Sequence, residues 1–137
     1  MHNEDLINSF METALAEDIG DGDHSSLACI PENAAGSARL LVKEDGIIAG
    51  IGTSKKIFHK IDPGLKLEQF LKDGDPVKSG DIAFIVSGKV LSILLSERLV
   101  LNVMQRMSGI ASRTREYVQK LEGLKTKVLD TRKTAPG

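Results

Sequence analysis

Two cationic side chains adjoin in the stretch TKVLDTRKTAPG, residues 126–137, where a β-branched run leads into Arg132 and Lys133 just ahead of Pro136. A guanidinium is a planar donor fork suited to a carboxylate, whereas an ammonium is a point charge suited to phosphate oxygens. Strand alternation would send the two side chains to opposite faces. Pro136, however, biases Ala135 towards extended or turn backbone and ends the strand, so both can meet one ligand if the chain turns there. A third cation, Arg98, is set in VLSILLSERLVLNVMQRMSG, a stretch apolar around most of a helical circumference. Burying it there is costly unless a protein carboxylate or an anionic ligand fills its fork. From the residues alone both stay open: Arg98 as half of an internal ion pair or as a ligand residue, and the basic pair as solvated surface or as a site.

Other constellations fail on spacing. Asp21, Asp23, Ser25 and Glu32 follow the order of an EF-hand loop, but Ser26 stands where the sharp turn requires glycine, and Pro31 opposes a following helix. Gly50-x-Gly52 precedes a helical pattern, yet Lys55 occupies the place of the third glycine, so the dinucleotide fingerprint is absent. His2, His24 and His59 are isolated from one another and have no metal-ligand spacing, which points to surface or capping roles and to no metal site. Cys29 lacks a nucleophile signature and reads as a small buried hydrophobe; as the single cysteine it forms no internal disulfide, which fits a reducing cytoplasm. Lys78 lies beside a turn in a strand-rich segment like those of lipoyl- and biotinyl-type modules, without the flanking residues such an acceptor lysine needs.

The net charge of −1 conceals an asymmetry. Residues 1–97 carry 9 basic and 16 acidic side chains, and residues 98–137 carry 9 basic and 3 acidic. A basic tail suits a small anionic ligand or a nucleic acid. With four Phe, one Tyr and no Trp there is little to stack bases on, which argues against nucleic acid. Hydrophobic residues make up 41% and charged residues 27%, ordinary for a globular chain. The richest apolar run, Val90–Leu95, falls far short of a membrane span, and acids stand near the N-terminus where a signal peptide carries basic residues.

These residues need a frame, and 137 positions give about one domain, which buries roughly two thirds of its unfolded surface. Leu6, Ile7, Phe10, Met11, Ala14 and Leu15 predict a helix over 4–16, followed by a loop in EDIGDGDHSS. A hairpin is expected from 37–43 and 46–49 around Glu44-Asp45-Gly46, and a short helix over 53–61. Strands follow at 65–71, 76–78 and 82–86, separated by Gly-containing turns. From Val90 a largely buried helix carries one polar stripe, Arg98, Asn102, Gln105 and Arg106, until Ser108-Gly109 ends or kinks it. A second helix over 111–121 and a strand over 126–131 complete the chain.

The stretches ALAEDIGDGDHSS, ERLVLNVMQRMSGIAS and VLDTRKTAPG, in this order and spacing, resemble quinolinate phosphoribosyltransferase, also called nicotinate-nucleotide pyrophosphorylase (decarboxylating). The resemblance runs the whole chain; SGIAS departs from the usual SGIAT, but Ser112 keeps a hydroxyl. It implies an α/β fold: an α+β N-terminal domain over 1–109, with a small half-barrel-like sheet and helices, then over 110–137 the first helix and strand of an open α/β barrel. It also implies a head-to-tail homodimer or higher homo-oligomer in which Arg98 reaches the partner's site, while Thr131, Arg132 and Lys133 stand at the end of the first barrel strand.

The ligands so implied are quinolinate and phosphoribosyl pyrophosphate, the latter with Mg2+ whose protein ligands lie beyond residue 137. Arg98 and Arg132 would hold carboxylates and Lys133 phosphate oxygens, with Thr131 lining the rim. The products would be nicotinate mononucleotide, pyrophosphate and CO2, on the route to NAD. Family members continue past TAPG, so this chain alone is expected to be inactive and to expose apolar surface over 110–129. Two alternatives stand beside this one: a molybdenum-transport-associated paralogue of the same fold, and a non-catalytic binding or assembly module.

Overall fold

The computed structural model of the protein describes residues 3–131 and 133. Helix α1 (Asn3–Ile19) extends past the predicted end at residue 16 and buries Met11 and Leu15, while Leu6 and Phe10 of the expected stripe stay at the surface. A short helix, α2 (His24–Cys29), then forms inside the stretch expected to be loop. Its N-cap is Asp23, whose Oδ1 accepts from the Ser26 N–H at 3.0 Å. Since α2 buries none of its residues, Cys29 is exposed, and the expectation of a buried thiol is corrected.

Strand β1 (Ala35–Leu41) leads to β2 (Gly46–Ile47), helix α3 (Ile51–Ile61), strands β3 (Lys66–Gln69), β4 (Pro76–Val77) and β5 (Ile82–Lys89), and helix α4 (Val90–Lys120). The expected hairpin between the segments now seen as β1 and β2 does not form. Instead β5 is central in an antiparallel sheet of order β1-β5-β3, and β2 pairs β4 in a separate ribbon. The physical reason is partner length: β1 pairs along its whole course with β5, from Ala35 opposite Lys89 to Leu41 opposite Ile82, whereas β2 offers two residues. The Glu44-Asp45 turn docks on the next turn instead, Asp45 Oδ1 accepting from the Ser79 N–H at 2.9 Å.

Alternate residues of β5, Phe84 and Val86, face the core, where the Phe84 ring meets Phe58 of α3 edge-on at 5.9 Å and 85°. Ile51 and Ile57 of α3 and Ile93, Leu99, Val100 and Met104 of α4 complete this core. Small buried serines, Ser54 and Ser96, bond backbone carbonyls of their own helices and leave no orphan polar group. Gly50 is required where α3 meets α4: its φ is +100°, and a Cβ would lie 3.3 Å from the Met104 Cα.

Helix α4 corrects two expectations. It runs unbroken through Ser108-Gly109, and it is buried on one side only, leaving Leu101, Met107 and Ile110 exposed. Across this glycine the helix is held by Ser108 and Ser112, one turn apart, which grip the backbone of β2 and of Ala49 just after it. Ser108 Oγ accepts from the Ala49 N–H (2.9 Å) and donates to the Ala49 carbonyl (3.1 Å), and Ser112 Oγ accepts from the Ile47 N–H (2.8 Å). Two hydroxyls thus stand in for a neighbouring strand. Beyond α4 the expected strand over 126–131 is absent: no described segment pairs with it, and an unpaired strand has nothing to stabilise it. Among the described residues no helix is long and apolar enough to cross a membrane.

Candidate functional site

The end of α1, the loop into α2 and the third turn of α4 meet around Arg98. Arg98, whose burial would have been costly, avoids it: its side chain is 74% exposed. Its Nη1 donates to Asp18 Oδ1 at 3.1 Å, a contact between residues 80 positions apart in sequence. Asp18 is the less accessible member, at 19%. Among the described residues Arg98 makes no second hydrogen bond, so the rest of its fork faces solvent. Asn102, Gln105 and Arg106 continue the polar stripe, all of them exposed as the spacing predicts.

The α2 loop adds further charge beside this arginine. Hydrogen bonds from Ser26 hold the Asp23 carboxyl below the usual carboxylate range, and the Arg98 charge adds to the effect. His24 Nε2 lies 3.3 Å from Asp21 Oδ2, both strongly exposed. His59 is exposed in the last turn of α3, and His2 lies outside the described residues. Among the described residues no three His, Cys, Asp or Glu side chains converge on a point that would hold a metal ion.

Of the other basic pair, Arg132 lies outside the described residues. Thr131 and Lys133 are exposed, and the Lys133 N–H donates to Thr131 Oγ1 at 3.3 Å. No hydrogen bond or ion pair among the described residues links them to Arg98.

Two other places could attract a ligand, and each is satisfied internally. The N-terminus of α3, opened by Gly50-x-Gly52, is filled by the protein's own anion: Asp73 accepts from the Ile51 N–H at 2.8 Å and the Gly52 N–H at 3.1 Å. A cleft of about 550 Å³ lies between Leu40–Ile48 and α4, but the hydroxyls of Ser108 and Ser112 on its wall are committed to the backbone of Ala49 and Ile47. Lys78 is exposed beside its turn, its N–H donating to Asp81 Oδ2 at 2.8 Å.

Sequence reasoning found Arg98 by its chemistry and missed Asp18. The N-cap Asp23 ahead of a short apolar-polar run was a signal for α2; nothing local signals the pairing of Asp18 with a residue on α4.

The model of the quinolinate phosphoribosyl transferase N-terminal domain matches residues 23–108. Quinolinate phosphoribosyltransferase (decarboxylating) 2a of Nicotiana tabacum is 46% identical over 132 residues, covering 96% of this chain and 37% of the tobacco protein. A probable nicotinate-nucleotide pyrophosphorylase of Synechocystis is 37% identical, with 96% and 44% covered. The crystal structure of NadC from Streptococcus pyogenes superposes with a TM-score of 0.93 at 36% identity, over 99% of this chain and 48% of that one. The chain thus spans less than half the length of these relatives. From the family match over most of its length and the superposition of its whole fold, the chain belongs to the quinolinate phosphoribosyltransferase family.

Proposed function

We propose that this chain supplies the N-terminal part of a phosphoribosyltransferase acting on quinolinate and phosphoribosyl pyrophosphate in NAD biosynthesis. The observation that carries the proposal is Arg98: a guanidinium held at one nitrogen on a rigid helix, its remaining donors turned outward, in a chain of this family. Residues 1–109 form the part that covers a partner's site, and residues 110–137 begin the barrel. The continuous α4 joins the two, so the division falls inside a helix. A homodimer follows from this division, because Arg98 serves the neighbouring subunit while Thr131, Arg132 and Lys133 serve their own. A cytoplasmic location suits the free, exposed thiol of Cys29.

The chemistry asks for positioning and charge stabilisation, and for no protein nucleophile. The pyridine nitrogen forms a bond to the ribose anomeric carbon as the bond from that carbon to pyrophosphate breaks. The ring carboxylate next to the nitrogen then departs as CO2, and the carbon it leaves takes up a proton, giving nicotinate mononucleotide. In this scheme Arg98 fixes a carboxylate of the incoming ring, and Arg132 the other. Lys133 steadies phosphate oxygens beside the Thr131 hydroxyl. Mg2+ bound with phosphoribosyl pyrophosphate would offset the charge of its phosphates.

The test is steady-state transfer by the full-length gene product. A hydrogen bond to a charged group contributes about 1.5–3 kcal/mol, so Arg98→Ala should raise the quinolinate KM roughly ten- to hundredfold. Unchanged transfer in Arg98→Ala would leave the chain a non-catalytic assembly module, and an active protein indifferent to quinolinate would place it with a paralogue of other substrate.

A further inference from the structure

Resting on the reading of Arg98 as a carboxylate-binding residue, we propose that Asp18 is its positioning residue: its carboxylate holds Nη1 and so aims the Nε–Nη2 edge of the guanidinium at the substrate. The geometry is one-sided. Asp18 Oδ1 meets Nη1 alone, end-on, at 3.1 Å, whereas a carboxylate that saturated the fork would take two parallel N–H donors. A second carboxylate can therefore bind the same guanidinium without displacing the first.

The burial of the two partners assigns the roles. Asp18 is the anchored member at 19% exposure, and Arg98 is the presented member at 74%. The anchor is firm because α1 is fixed to the core through Met11 and Leu15, about two turns and one turn before Asp18. Asp18 also stands in the last turn of α1, where the negative end of the helix dipole disfavours a carboxylate. A cation at that point offsets the repulsion, so the pair is favoured from both sides.

The other acids nearby are not alternatives. Asp23 is committed to capping α2 through its Oδ1, and Glu97, the neighbour of Arg98 on α4, is exposed without an ion pair to it among the described residues. An untethered arginine samples many rotamers and must lose them on binding. The tether removes part of that freedom before the ligand arrives, which should appear in substrate affinity more than in turnover.

The experiment is a double-mutant cycle in the full-length gene product, with quinolinate and phosphoribosyl pyrophosphate varied separately. Asp18→Asn should raise the quinolinate KM about five- to tenfold while kcat and the phosphoribosyl pyrophosphate KM change less than roughly twofold. In the Arg98→Ala background the same substitution should have no further effect, because the tether acts only through the guanidinium. Asp18→Glu, which keeps the charge, should recover part of the affinity. Equal effects in both backgrounds would make Asp18 merely structural, and an unchanged or lower KM in Asp18→Asn would make it a competitor of the substrate; either overturns the proposal. If Arg98→Ala itself leaves the quinolinate KM unchanged, the underlying reading of Arg98 fails and this inference with it. If Arg98→Ala raises the KM and Asp18→Asn does not, the positioning role alone fails.

Discussion

At the scale of single residues, carboxylates do most of the local organising. Asp18 orients Arg98, Asp73 caps α3, Asp62 accepts from the Ser92 hydroxyl at 2.8 Å and from the Gly64 N–H, and Asp23 caps α2. The last two are held below the ordinary carboxylate value, in each case chiefly by a serine hydrogen bond. A lowered folded-state value means that the contribution to stability is fully present above the unfolded value of 3.8 and is lost as pH falls through the folded one. The order of α2 should therefore be constant at neutral pH and disappear on acidification below 3.8, followed by the Ser26 amide resonance. Asp23→Asn, a neutral cap, should flatten that dependence; an identical acid transition in the Asn variant would show that another group controls α2. Ser112 illustrates the same economy of residues. The hydroxyl that the family resemblance flagged is the one gripping Ile47, and Gly46 is small because a Cβ there would lie 2.5 Å from that oxygen.

At the scale of elements, the long helices were located, though α2 was missed and α4 was split in two, and the strand partners were not legible. Periodicity located α3 and α4 because one apolar face per helix is a local property, read within a dozen residues. Which strand lies beside which is decided between distant segments: β1 and the turn after it look like half of a hairpin until the long central β5, over forty residues on, proves the better partner. The break expected at Ser108-Gly109 failed for a similar reason, since the serines on either side of that point are held by the distant backbone of Ile47 and Ala49. The candidate site divides the same way, with Arg98 identifiable from its setting and Asp18 visible only in three dimensions. Cap chemistry across long loops is another non-local feature, and it can be tested at α3. Asp73→Ala leaves two N–H groups without their acceptor and should destabilise the chain by about 1–2 kcal/mol in urea denaturation, with Asp73→Asn intermediate. A loss below a few tenths would mean that water replaces the carboxylate without cost.

At the scale of the whole molecule, the two ends of α4 live in different environments. From Ile93 to Met104 the helix is packed against α3 and the sheet, and at Ser108 and Ser112 it is pinned to Ala49 and to Ile47 of β2. On its other side it presents Ile110 at 60% exposure, further on Tyr117 at 56%, and the segment after it presents Leu124 at 63% and Leu129 at 83%. This is the apolar surface expected over 110–129. In the proposed enzyme it is where the rest of the barrel would pack, in keeping with a chain that spans less than half the length of its relatives. An isolated helix shorter than about 12–15 residues is marginal in water, so the final two turns of α4 depend on whatever covers them. In the 137-residue chain, dilute and monomeric, amide exchange should therefore be slow from Ile93 to Met104 and at least tenfold faster beyond Ser112, where local opening costs less by about 1.4 kcal/mol at minimum. Raising the concentration until copies associate through the exposed residues should slow exchange in the second region and leave the first unchanged. Uniform protection along α4 in the monomer would mean that the helix is stable without a cover, and that residues 110–120 belong energetically to the N-terminal unit rather than to a barrel.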